Sequence, residues 1–275
     1  MQNKCQDKTI EACQCEGCLD LRQTPNAEYS EWIPENKQCK VHKFIGDESC
    51  KLLDGMTIYI SGDSLMRHMF LAMLLILKND FKRGFFKKGY QKDSMLCEGM
   101  RGFLERKCRS YMSNGAVILC KGRVNITFAE NYKVDLGSEF LYEVKNLINK
   151  PKSLVFVGIG YHDHFHVNVV KNRYLTPALD VTTNNKWPKI LWSMPPAPGL
   201  LKHPTMMPQT LPKLLRFTKD MTKYLKQRNI AVFNSYALTD GMMSFDGIHH
   251  GLGINVEKVQ IFLNYIQELR HKEKW

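Results

Sequence analysis

The chain has 275 residues, 44% of them hydrophobic and 24% charged, with a formal net charge of +12. That length fits one large domain or two small ones, and that balance excludes a chain too polar to bury a core. The absence of any run of about 18 apolar residues excludes a bilayer-spanning helix, while the positive charge favours an anionic partner: a nucleic acid, an acidic glycan or a membrane surface.

Residues 1–53 read as an irregular, cysteine-rich lead-in packed on a main domain of residues 54–275. "MQNKCQDKTIEACQCEGC" is polar and unlike a signal peptide, so either the protein is cytosolic or a targeting segment is missing. Nine cysteines are many for a cytosolic enzyme. Five come early, at Cys5, Cys13, Cys15, Cys18 and Cys39, followed by Cys50, Cys97, Cys108 and Cys120. The preferred reading is disulfides, at least three of them, in the secretory lumen or a secreted protein. The alternative is zinc on the four thiolates of C-x7-C-x-C-x2-C, weakened because only one C-x2-C occurs. An odd count leaves at least one thiol unpaired within the chain. Asn125-Ile-Thr127 is a glycosylation sequon, which fits a lumenal location weakly.

From residue 56 the pattern becomes periodic. "MTIYIS" predicts a buried strand, and Leu65 to Lys78 a helix apolar nearly all round, hence buried. Residues 78–115 are basic and irregular. "AVILC" and "VNITF" predict a strand pair, and "SEFLYEVKNLINK" an amphipathic helix stopped by Pro151. "SLVFVGIG" is a continuous apolar run ending in glycines, the signature of a strand buried on both faces. "KILWSMPP" and "IAVFNSY" predict further strands; "LPKLLRFTKDMTKYLKQRN" and "NVEKVQIFLNYIQELRH" predict helices. Strands alternating with helices imply an α/β fold with a mostly parallel sheet and helices on both faces.

Three predicted strand ends carry candidate chemistry. Ser64 follows the first strand and opens a helix, where free backbone N–H groups suit a developing oxyanion. Asp63 suits the helix cap, and a plain cap is the competing explanation of Gly-Asp-Ser. In "SFDGIHHG", Asp246 and His249 are three apart on a turn, so both can face one cleft: the imidazole as base, the carboxylate as its support. His250 is the rival base, and a plain surface loop is the alternative. "GIGYHDHFH" closes the strongest strand. Its His162, Asp163, His164 and His166 invite a zinc assignment or make a polar loop; the favoured reading is that the Gly160 N–H or the His162 side chain completes an oxyanion hole.

In this order, "GDSLMRH" at 62–68, "GIGYHDHF" at 158–165, "WSMPPAPGLLK" at 192–202 and "LTDGMMSFDGIHHG" at 238–251 resemble the SGNH/GDSL hydrolase superfamily. More narrowly they resemble its PC-esterase group, which includes the trichome birefringence-like polysaccharide O-acetyltransferases. The lead-in "EWIPENKQCKVHKFIGDESCKLLDGMTIYISGDS" resembles that group's approach to its nucleophile, and the likeness covers roughly residues 31–270. The resemblance implies a three-layer sandwich around the mostly parallel sheet, Ser64 as nucleophile, His249 as base and Asp246 as its partner. It implies oxyanion donors from the Ser64 N–H, a backbone glycine and a side chain of the third block. The sequence departs from the superfamily in that no Gly-x-Asn-Asp stands at that block; Gly160-Tyr-His162 does. The second-block glycine has two weak candidates, Gly115 and Gly122. Arg67 and Asp63 complete the residues expected around substrate.

The expected activity is serine-dependent transfer or hydrolysis of an O-acyl, chiefly acetyl, group on a glycan. It needs no metal and no cofactor; its partners are an acylated or acceptor glycan, an acidic one included, and an acetyl donor. The basic stretch "KNDFKRGFFKKGYQK", residues 78–92, suggests a grip on acidic polysaccharide with aromatic rings stacking on sugars. The alternatives are a binding protein for nucleic acid or acidic glycan that uses this stretch without catalysis, and an inactive lectin-like module. No nucleic-acid recognition signature accompanies the charge, so no stable nucleic-acid complex is expected.

Overall fold

The structure, a computed structural model, describes residues 27–89, 92–104, 106–198 and 211–272, with backbone alone at 92–94 and in a short parallel pair, Asn3–Lys4 with Cys18–Leu19. Cys5, Cys13 and Cys15, the Cys18 side chain and hence the zinc alternative lie outside the described residues.

Six strands form one sheet: β1 Thr57–Gly62, β2 Gly115–Leu119, β3 Val124–Ala129, β4 Ser153–Gly158, β5 Lys189–Ser193 and β6 Ala231–Phe233. Their order across the sheet is β2-β3-β1-β4-β5-β6. Only the β2–β3 hairpin is antiparallel; every other neighbouring pair is parallel. The strands alternate between two cores, as a period of two requires. Ile58, Ile60, Leu154, Phe156 and Leu191 enter one. Tyr59, Val155, Val157, Ile190 and Trp192 enter the other.

The first core is covered by α1 Asp47–Leu52, α2 Ser64–Lys78 and the last helix, α6 Leu252–His271. The α2 residues Phe70 to Ile76 are fully buried, which is why its sequence is apolar all round. The second face carries α3 Gly137–Lys145, α4 Thr176–Thr182 and α5 Leu211–Gln227. The result is a three-layer α/β fold with a mostly parallel central sheet, as expected.

Two helical segments were invisible in the pattern. The stretch Val167–Val169, the π-helical Val170–Leu175 and α4 run on without a break, yet Pro177 falls inside them and the wide π turn spoils a 3.6 period. The short α1 lacks a full amphipathic repeat. Conversely α3 ends at Lys145, well before Pro151, and residues 146–149 continue as turns that still bury Leu147.

The lead-in joins the first core. Phe44 pairs with α6 through its N–H and carbonyl, both held by the Gln260 side-chain amide at 2.8 Å, and Glu28 Oε1 accepts the Gly253 N–H at 2.9 Å. Two disulfides lie among the described residues, Cys50–Cys120 and Cys97–Cys108, while Cys39 is a free, exposed thiol. Cys50–Cys120 ties α1 to the β2–β3 turn across 70 residues of sequence. Closing a loop of that length removes about 4 kcal/mol of unfolded-chain entropy. The double substitution Cys50→Ala, Cys120→Ala should therefore lower stability by about that much in denaturant titration, and an unshifted midpoint would rule the bridge out.

Asn125 lies in β3, paired on both sides, with its Oδ1 buried.

Candidate active site

Among the parallel strands the order is β3-β1-β4-β5-β6, so the chain reverses its direction of travel across the sheet between β1 and β4. Crevices beyond the carboxyl ends of strands at such a switch point are where open α/β sheets bind ligands. Here the two strand ends are glycines in register, Gly62 beside Gly158. Gly62 has φ +150°, and a Cβ there would lie 2.2 Å from the Gly158 carbonyl oxygen, so only glycine permits this approach.

The turn after β1 delivers Ser64 as the first residue of α2. Asp63 is the helix cap: its Oδ1 accepts the Leu65 N–H at 2.9 Å. The Ser64 N–H has no acceptor among the described residues and remains free at the positive end of the helix. Asp63 is buried, and this desolvation pushes its carboxyl up against the opposing hydrogen bonds.

The loop between β6 and α6 brings the other two groups. Ser64 Oγ and His249 Nε2 are 2.6 Å apart across 185 residues of sequence. His249 Nδ1 and Asp246 Oδ2 are 2.7 Å apart. Asp246 Oδ1 also accepts the backbone N–H groups of Ile248 (2.9 Å) and His249 (2.8 Å), and Phe245 N–H to the His249 carbonyl closes the turn at 3.0 Å. Burial pushes the Asp246 carboxyl up, but the His249 ring and these N–H donors outweigh it and hold it well below the usual carboxylate range. An ionised carboxylate only accepts, so His249 carries its proton on Nδ1, and its free Nε2 lone pair faces the Ser64 hydroxyl. The three side chains form one hydrogen-bonded chain, serine to imidazole to carboxylate.

His250 is not part of it. It is buried, both ring nitrogens lack partners among the described residues, and burial pushes it down to about 3. Gly160 has φ +146°, a Cβ there would press on the Phe217 ring at 3.0 Å, and its carbonyl accepts the Phe165 N–H at 2.9 Å. His162 is exposed, its ring edge against Tyr132. Among the described residues no hydrogen bond joins Gly160 or His162 to Ser64 or His249. In the same loop Tyr161 and Phe165 are buried, and Asp163 Oδ1 is taken by the Val134 N–H at 3.1 Å. Among the described residues no group of three His, Cys, Asp or Glu side chains is placed to hold a metal.

Of the second-block candidates, Gly122 is at the wrong end of the sheet, in the turn opening β3. Gly115 pairs with Phe128 at the correct rim but on the edge strand β2. The residues that follow β3 beside β1 are Glu130 and Asn131.

Arg67 and His68 follow Ser64 by three and four positions and so share its helix face. Arg67 is 7% exposed and donates Nη1 to Glu130 Oε1 at 2.8 Å. The His68 ring lies 5.4 Å from that of His249 and edge-on to Phe103 at 5.2 Å. Burial holds its imidazole well below the ordinary value, so it stays neutral. Helical spacing from Ser64 would have marked His68. Behind the turn, a void of about 20 Å³ lined by Asp63, Gly158, Ser193, Ser235 and Lys258 has room for roughly one water. Burial pushes the Lys258 ammonium down to about 7, against the pull of Asp63.

Two rings of the 78–92 stretch do not face solvent as expected. Phe85 and Phe86 are core residues packed on each other, and Phe85 also meets Phe103, so these two rings are not free to stack on a sugar. Lys82, Lys87 and Lys88 are exposed; Arg83 is paired with Glu98 at 2.5 Å.

No family model and no curated protein matches the sequence. Among solved structures the chain is similar to a lipolytic protein of the G-D-S-L family from Veillonella parvula (14% identity, TM-score 0.41, covering 74% of this chain and 96% of that one). It is also similar to a lipase/acylhydrolase from Enterococcus faecalis (15%, 0.42, 79% and 96%) and to an acetylxylan esterase from Geobacillus stearothermophilus (11%, 0.40, 82% and 96%).

Proposed function

We propose that the protein is an SGNH-type serine acyl hydrolase or acyltransferase, of the PC-esterase kind, acting on O-acetyl groups of a glycan. The single observation that carries the reading is the hydrogen-bonded chain from Ser64 through His249 to Asp246 at the switch point of the sheet. The quoted sequence resemblance supplies the superfamily, the acetyl group and the glycan.

His249 Nε2 takes the Ser64 proton as Oγ bonds to the ester carbonyl carbon. The carbonyl π electrons move to oxygen, and the Ser64 N–H at the helix start stabilises that oxyanion. Collapse breaks the bond to the alcohol oxygen, which leaves with the proton from His249 and yields acyl-Ser64. Water or a sugar hydroxyl then gives its proton to His249 and attacks the acyl carbon, and as the bond to Ser64 Oγ breaks His249 returns the proton to that oxygen. Water makes the protein an esterase; a sugar hydroxyl makes it a transferase. Asp246, ionised and fixed by two backbone N–H groups, keeps the imidazole in the required tautomer and supports its positive charge.

The two described disulfides fit an oxidising compartment, the secretory lumen or the cell exterior. The reading is tested by treating the folded protein with a serine-directed organophosphonate. One adduct on the peptide containing Ser64 is expected by intact-mass and peptide mapping; a folded protein that takes no adduct there would overturn it.

A further inference from the structure

We propose that the cleft beside His249 is a subsite for an anionic group on the alcohol half of the substrate, with Arg106 and Arg109 as its binding residues and Arg67 at its edge. The inference rests on the acyl-serine reading and narrows its substrate to an O-acylated glycan carrying a carboxylate or sulfate. The cleft has a volume of about 410 Å³, in the range of small-molecule sites. Its walls are the α2 face with Arg67 and His68, the segment bearing Phe103, Arg106 and Arg109, and the loop ending in His249.

Three guanidinium groups thus line one concave surface, and their counter-charges are unequal. Arg67 is answered by Glu130, and Asp246 is committed to His249. Arg106 and Arg109 are exposed and make no ion pair among the described residues. Arg109 is near enough to Arg67 to work against it: burial first, and Arg109 second, hold the Arg67 guanidinium below its usual value. Like charges gathered with no paired acid among the described residues favour an oxyanion from solution, and the planar fork of arginine suits carboxylate and sulfate alike. The arrangement is built into the fold. Cys108, fully buried and bridged to Cys97, fixes the chain immediately before Arg109.

Proton transfer determines which half of the ester lies here. His249 must hand its proton to the departing alcohol oxygen, so the alcohol is on the imidazole's side of Ser64, and His249 itself lines this cleft. The carbonyl oxygen lies toward the Ser64 N–H instead.

The test compares kcat/KM for methyl O-acetyl-glucuronoside, the matching O-acetyl-glucoside and its sulfated form. It uses the wild-type protein, Arg109→Gln and the double variant Arg106→Gln, Arg109→Gln. The wild type is expected to favour one or both acidic esters over the neutral one by about a hundredfold, about what two charge-assisted contacts supply. That ratio should fall by about tenfold for each arginine removed, whether carboxylate, sulfate or both are preferred. Equal kcat/KM for acidic and neutral esters, or a preference that survives the double variant, would overturn the subsite. Phosphonate labelling and 4-nitrophenyl acetate turnover on the same preparation separate the two failures. Labelling and turnover with no acidic preference reject the subsite alone; no labelling and no turnover of any ester reject the acyl-serine reading and the subsite with it.

Discussion

Replacing Ser64 with alanine is expected to reduce turnover of an activated acetyl ester by on the order of 10⁴- to 10⁶-fold, the loss typical of removing a serine nucleophile. The change deletes one oxygen from a half-buried residue and keeps its Cβ. Asp63, which caps α2, is untouched, and so are the glycine contacts that bring β1 and β4 together. The variant should therefore melt with the wild type while its kcat collapses. Activity near the wild-type level in a folded Ser64→Ala protein would reject the nucleophile and the mechanism built on it.

The adjacent histidines give the second large effect. His249→Ala should be as inactive as Ser64→Ala, and the double variant no worse than either, because the two groups act as a unit. His250→Leu should keep turnover near the wild-type level. Its ring is buried with both nitrogens unpartnered among the described residues, and it remains neutral because burial holds it near 3. A leucine there removes orphaned polar atoms and leaves the backbone carbonyl that Asn255 Nδ2 contacts at 2.9 Å. If His250→Leu proved dead and His249→Ala active in steady-state kinetics, the base would be misassigned by one position.

The difference between these neighbours shows where local reading stopped. Asp246 and His249 can be paired from sequence because a three-residue turn decides whether they meet. Which of two adjacent imidazoles points outward depends on how the loop enters α6, where Glu28 from the distant lead-in holds the Gly253 N–H. Phe85 and Phe86 misled for the same reason: in a basic stretch they look like surface rings, yet Phe103 and the core claim them. The helical stretch before β5 escaped because proline and a π turn hide its period.

The order of elements, the buried character of β4 and α2, the cap at Asp63 and the Asp246–His249 spacing were legible in the sequence by itself, because each depends on residues within a turn or two of one another. The strand order was not, and it is the strand order that sets Ser64 against His249 across 185 residues and brings the strand ends Gly62 and Gly158 side by side. Nor was the approach of Arg106 and Arg109 to the cleft beside His249, which follows from a disulfide and a packed aromatic cluster. Periodicity and capping are short-range energetics that a local pattern records; pairing and convergence over long separations are decided only when the whole core closes.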